Sequence, residues 1–345
     1  MKAAVLKGLK NIKVEEVTKP VIKDGHMLVK IASCAVCGSD VRIYETGNKR
    51  VNYPAIIGHE IAGTIVEVGS GVKNFKVGEN IAIGADVPCG DCEWCINGMG
   101  NCCDINYAMG YQFQGGFAEY CLLNPTVIKY GPINKIPDGV EMDHAALAEP
   151  LACCINGLER VSFKAGKTVL IMGAGPIGIL LMQAARAFGA SLVILADIDS
   201  TRLEQAKEFN SDYIINTKES VLFDRIMDIT NEKGVDVVFT ACPSPEAQED
   251  VLKVVSKRGY INYFGGLSQT ARNISISSND IHYKEAYITG SHGSTPLQHK
   301  KALELIATES VNVSDLITHK FSLDDIEKAL MSVKNKEGLK VIVNP

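Results

Sequence analysis

A chain of 345 residues is longer than one hydrophobic core usually organises, so two domains are expected. Its 46% hydrophobic and 22% charged residues suit a folded globule with little room for a disordered tail. A formal charge of -5 gives no electrostatic footprint for nucleic acid or an anionic membrane surface, and neither is expected as a partner. Met1 to Leu6 runs straight into a strand-like pattern instead of a signal peptide, and apolar runs such as Val169 to Met172 are too short for a bilayer. A cytoplasmic location is the expectation.

In chain order, the first 150 residues or so read as short β-rich runs broken by Gly, Pro and Asn, among them Met27 to Ser33, Ile61 to Gly69 and Glu79 to Ile83. From about Phe163 strands alternate with helices. The strands are Thr168 to Met172, Leu192 to Ala196, Val235 to Thr240 and Gly259 to Phe264; the helical spacing falls at Ile177 to Phe188, Thr201 to Phe209 and Gln248 to Val255. That alternation predicts an α/β domain with a doubly wound parallel sheet. Helical patterns at Pro296 to Ala307 and Leu323 to Val333 and a strand at Lys340 to Val343 close the chain, and their pattern alone does not say which domain they join.

The strand ending at Met172 is followed by Gly173-Ala174-Gly175-Pro176-Ile177-Gly178 and then an apolar helix. Gly173 permits a tight turn, Gly175 admits a pyrophosphate close to the backbone, and Gly178 lets helix and strand pack, with the helix N-terminus facing the anion. Asp197, at the end of the next strand, is suited to the ribose hydroxyls of NAD and would repel the 2′-phosphate of NADP; Arg202 pulls the other way, and Asp197 is expected to dominate.

Of eleven cysteines, Cys89, Cys92, Cys95 and Cys103 form a C-x2-C-x2-C-x7-C run. Four thiolates close a tetrahedral zinc shell, so this ion would pin a lobe at about residues 88–104 without doing chemistry. Cys102 adjoins the run, and the spacing favours Cys103 over it. A second, dispersed set comprises Cys37 in Cys37-Gly38-Ser39-Asp40, His59 and Glu60 after Gly58, and Glu149 before Pro150. Sulfur, nitrogen and oxygen donors together suit zinc, and three protein ligands with one open position are what a Lewis-acid zinc needs.

These motifs, with Gly58-His59-Glu60-x-x-Gly63 and Glu149-Pro150-Leu151, come in an order that resembles the zinc-containing medium-chain dehydrogenases along essentially the whole chain. The resemblance implies a GroES-like β-rich catalytic domain (1–152 and 291–345) and a Rossmann NAD-binding domain (153–290), the tail returning to the first. It implies two zinc ions per chain, one catalytic and one structural, with Cys37, His59 and one glutamate as catalytic ligands and Glu60 and Glu149 competing for the last place. It also assigns Ser39 to the substrate oxygen. Glu149-Pro150-Leu151 looks like the sorbitol, threonine and galactitol-phosphate branch. The expected reaction is oxidation of a secondary alcohol, foremost a sorbitol- or iditol-like polyol, to a ketone by a homo-oligomer, a tetramer or dimer. A polyol phosphate held by Arg42, Lys49 or Arg50, L-threonine and a vicinal diol are the alternatives, and a non-catalytic NAD-sensing protein is the rival from another class. Two departures stand out: Arg42 replaces the histidine that completes a proton relay in many relatives, and the Arg-Tyr pair that contacts polyols is missing near His292.

Overall fold

The chain divides into two compact units, Met1–Ala152 with Gly293–Pro345, and Cys153–His292. In the computed structural model, which describes every residue except Gln269, the first unit is built on β1 (Met27–Val36), β2 (Glu60–Val68), β3 (Asn80–Ile83) and β4 (Ile133–Lys135), antiparallel neighbours in that order. Branched residues set this sheet: Val29, Ile31, Ile61, Ile65, Ile81 and Ile83 pack with Phe117 in one buried cluster. Each such side chain contributes on the order of 1.5–3 kcal/mol when removed from water.

The second unit carries β5 (Thr168–Met172), β6 (Leu192–Asp197), β7 (Tyr213–Asn216), β8 (Val235–Thr240), β9 (Val255–Tyr263) and β10 (Tyr287–Gly290), all parallel, in the order β7-β6-β5-β8-β9-β10. Strand order reverses beside β5, so the glycine turn at its C-terminal end occupies the switch point of the sheet. The edge strands β7 and β10 carry no signal in the sequence reading, because each has four residues and a half-exposed pattern without a buried run. β9 begins four residues earlier than its apolar pattern suggests. Arg258 takes φ +59 where its pairing with β8 shifts register, so the strand is interrupted before the apolar stretch resumes.

The tail places β11 (Ile317–Ser322) parallel to β12 (Lys340–Asn344), and β12 runs antiparallel to β1, with Val341 opposite Val36. The sheet of the first unit therefore reads β11-β12-β1-β2-β3-β4. Residues near both ends of the sequence become next neighbours there.

Candidate metal and dinucleotide sites

Cys37 follows the last residue of β1 and is the N-cap of α1 (Gly38–Thr46). In the register of β1 with β2, Ala35 lies opposite Glu60 and Cys34 opposite Ile61, which brings His59 and Glu60 to the same end of the sheet as Cys37. One potential ligand atom from each of Cys37, His59 and Glu60 lies within 4.8 Å of the others. His59 and Glu60 are buried and Cys37 is half-buried. Glu149, in the first turn of α2 (Ala148–Arg160), is buried but falls outside that 4.8 Å group.

The local sequence holds these donors in place. Asp40, three residues after the N-cap and fully buried, accepts the Cys37 amide at 2.9 Å through Oδ2 and sets Oδ1 3.3 Å from His59 Nδ1. With Nδ1 turned to a carboxylate, Nε2 is the nitrogen left to act as a ligand. Ser39 Oγ is 3.4 Å from that Nε2. Burial lowers the pKa of His59, but the Asp40 carboxylate and the Cys37 sulfur outweigh it and hold the pKa well above the ordinary value. Burial pushes the Glu149 carboxyl up to about 7, an effect that His59 opposes and that Glu60 and Asp86 reinforce. The pocket is rich in negative charge and suits a divalent cation, and its thiolate, imidazole and carboxylate are a zinc donor set.

Cys89, Cys92, Cys95 and Cys103 also converge within 4.8 Å. Backbone amides turn toward the sulfurs: Cys89 N–H donates to Cys103 Sγ at 3.3 Å and Cys92 N–H to Cys89 Sγ at 3.4 Å. Cys103 is buried while Cys102 is exposed, so Cys103 supplies the fourth sulfur of this cluster.

At the end of β5, Gly173 takes φ +115, a region that favours glycine, and the helix α3 (Pro176–Ala187) starts with Gly175 as N-cap and Pro176 in its first turn. A Cβ on Gly178 would run into the Gly173 carbonyl, which is the close helix–strand packing that its place in the motif calls for. Asp197, at the end of β6, accepts the Ala174 amide at 2.7 Å and the Asp199 amide at 2.9 Å, which ties the strand end to the glycine turn. The Arg202 guanidinium lies over Gly175, and its Nε is buried without a hydrogen-bond partner. Ile177 follows Pro176 in the first turn of α3 and is half-buried.

Known proteins resemble this chain along its length. Residues 23–132 match the family described as "Alcohol dehydrogenase GroES-like domain" and residues 176–308 the one described as "Zinc-binding dehydrogenase". A sorbitol dehydrogenase of Bacillus subtilis is 35% identical, over 100% of this chain and 97% of its own. The chain belongs to the zinc-containing medium-chain dehydrogenases. Among solved structures, a protein described as a zinc-binding dehydrogenase from Sinorhizobium meliloti, bound to NADP, superposes with a TM-score of 0.92 at 31% identity, over 100% of this chain and 99% of that one. Galactitol-1-phosphate dehydrogenase of Escherichia coli gives 0.90 at 27% identity, with 100% of each chain covered.

This medium-chain dehydrogenase is thus an oxidoreductase of alcohols that works with zinc and a nicotinamide dinucleotide. No helix among its described residues is long and apolar enough to cross a membrane. Arg42 and Lys49 are exposed, and His292 is exposed in the loop after β10. Arg50 is half-buried: it bonds the Asn106 carbonyl, and its guanidinium carbon lies 4.8 Å from the centre of the Tyr111 ring. Sequence reasoning missed three residues at the Cys37 site. Asp40 had a signal, since an acid three residues past an N-cap is a capping pattern. Tyr111, whose ring centre is 5.9 Å from that of His59, had none. Neither did Lys340, which bonds Glu60 from 280 positions away.

Proposed function

We propose that this dehydrogenase oxidises a secondary hydroxyl of a sugar alcohol to a ketone and passes the hydride to NAD. The observation that carries the reading is the convergence of Cys37, His59 and Glu60, thiolate, imidazole and carboxylate, at one end of the β1-β2 pair. Zinc held there supplies the Lewis acidity that eases deprotonation of an alcohol. Of the two glutamates, Glu60 is the better third ligand, because Glu149 lies outside the 4.8 Å group. Glu149, whose carboxyl burial pushes up to about 7, is assigned a hydrogen-bonding role beside the donors.

The chain's own groups then handle the proton. Ser39 Oγ, 3.4 Å from His59 Nε2 and half-buried, accepts the proton of the substrate hydroxyl and gives up its own to solvent. That route replaces the histidine relay, since Arg42 stands where many relatives carry the histidine and its side chain is exposed. NAD is favoured over NADP because the Asp197 carboxylate, at the end of β6, would repel a 2′-phosphate bound beside it. A polyol is favoured because sorbitol dehydrogenases are among the relatives that match at full length.

A polyol phosphate is the second reading. It is supported by the galactitol-1-phosphate and D-arabitol-phosphate dehydrogenases among the matches, and by the Arg50 guanidinium, one tyrosine ring away from His59. A screen of NAD reduction across free polyols, polyol phosphates, L-threonine and short vicinal diols separates these readings. A polyol is expected to give the highest kcat/KM, and His59→Ala is expected to lose turnover while NAD still binds. Full activity of a His59→Ala protein that retains no ion at this site is the result that sinks the scheme.

A further inference from the structure

Lys340 is 4% exposed, and no other lysine or arginine among the described residues is counted as buried. Its ammonium lies 2.6 Å from Glu60 Oε1 and 2.5 Å from Glu60 Oε2, and 3.4 Å from the Val36 carbonyl. Glu60 is fully buried, so both charges have left water, at a cost that only a partner can offset. The pairing of β12 with β1 carries Lys340 to this spot, beside the end of β1 where Cys37 stands. The same carboxylate therefore faces an ammonium on both oxygens and belongs to the group of donors that suits a divalent ion.

We propose that Lys340 is a positioning residue that shares Glu60 with the catalytic ion, limiting the charge the ion draws from that carboxylate and keeping Glu60 an exchangeable ligand. The proposal rests on the assignment of Cys37, His59 and Glu60 as ligands. Without the ammonium, the ion-free pocket would hold the buried carboxyls of Asp40, Glu60 and Glu149 with only the His59 imidazole to balance them. That state would be disfavoured, the ion-bound state would gain by comparison, and the ion would leave more slowly. An ion that takes the full charge of Glu60 is also a weaker Lewis acid, so turnover would fall.

The test uses the full chain loaded with zinc and follows, with a chromogenic chelator, release of the ion beyond the one in the four-cysteine lobe. Lys340→Met keeps the apolar stem and removes the charge; Lys340→Arg keeps the charge. Release from K340M is expected to be slower than wild type by about tenfold or more, with kcat reduced and the KM for NAD unchanged, while K340R stays within about twofold of wild type. A folded K340M that releases zinc as fast as wild type, or faster, overturns the proposal and reduces Lys340 to an ordinary buried ion-pair partner.

Should K340M fail to fold, Glu60→Gln and the double variant E60Q/K340M decide. With Glu60 neutral, loss of Lys340 must leave the release rate unchanged, and slowing by the double variant relative to E60Q overturns the proposal. A wild-type chain that takes up only the four-cysteine ion removes the ligand assignment itself and this inference with it. A wild type with both ions and an unaffected K340M removes the inference alone.

Discussion

At the scale of single residues, the Cys37 site depends on a side chain that does not belong to the ligand set. Asp40 spends one oxygen on the Cys37 amide and turns the other to His59 Nδ1, so it fixes two donors at once. Asp40→Asn keeps the shape, but its amide offers one acceptor in place of two and loses the charge that steadies the imidazole. Zinc affinity at this site is expected to fall by about 10–100-fold, read by chelator competition, with the four-cysteine ion retained. An unchanged affinity would mean that the backbone alone orients His59. Asp197 poses a similar question in the dinucleotide site. Both its oxygens accept backbone amides, so Asp197→Ser should loosen the glycine turn as well as relax cofactor choice. The expected outcome is a smaller ratio of kcat/KM for NAD over NADP, with NAD binding weakened in direct titration.

At the scale of elements, the two motifs that the sequence announced are those whose residues are close in the chain. The glycine turn needs a strand, three glycines and a helix in immediate succession, and Gly178 cannot gain a Cβ without meeting the Gly173 carbonyl. Gly178→Ala is expected to cost roughly 1–3 kcal/mol in unfolding free energy and to raise the Kd for NAD, by denaturant titration and fluorescence respectively. In the four-cysteine lobe the amides that face the sulfurs come from the same short loop, so a regular spacing was enough to read it. Cys95→Ser should lose one zinc per chain by metal analysis and make the lobe a protease target before the rest of the protein unfolds. The dispersed set was legible only through the family resemblance, because its geometry depends on which residue of β1 lies opposite which residue of β2. A slip by one position would turn Glu60 to the other face of the sheet. Lys340 lies beyond that again: its approach to Glu60 requires β12 to pair with β1, a contact between chain ends that no local pattern encodes. The edge strands β7 and β10 escaped notice for the opposite reason, since their four half-exposed residues have too little periodicity to register.

At the scale of the whole molecule, a buried histidine outside the ligand set couples stability to pH. His299 sits in the helix Pro296–Ala307, fully buried, with Nδ1 2.9 Å from the Asn134 side-chain amide and Nε2 without a partner. Gly84 lies against the edge of the ring and brings it no charge. Burial therefore pushes its pKa down to about 3, below the ordinary 6.5. In the folded chain the ring stays neutral, while in the unfolded chain it gains a proton as pH falls through 6.5. The stability it allows is complete above that value and is lost progressively as pH drops toward 3, by up to about 1.4 kcal/mol per pH unit. Glu149 acts in the reverse sense. Its folded pKa is raised to about 7, so in the metal-free chain it favours the folded state below its ordinary 4.5 and loses that contribution as pH rises through 7. The two effects partly cancel between pH 5 and 7, and the absolute stability curve conceals both. The difference between wild type and His299→Gln isolates one of them, because glutamine keeps polar contact with Asn134 and does not titrate. Urea unfolding of the two proteins from pH 7.5 to 5 should show curves that converge as the medium becomes more acidic, the wild type losing about 2 kcal/mol more than the variant between pH 6.5 and 5. Parallel curves would mean that His299 takes up its proton at the same pH in the folded chain as in the unfolded one, against the effect of its burial.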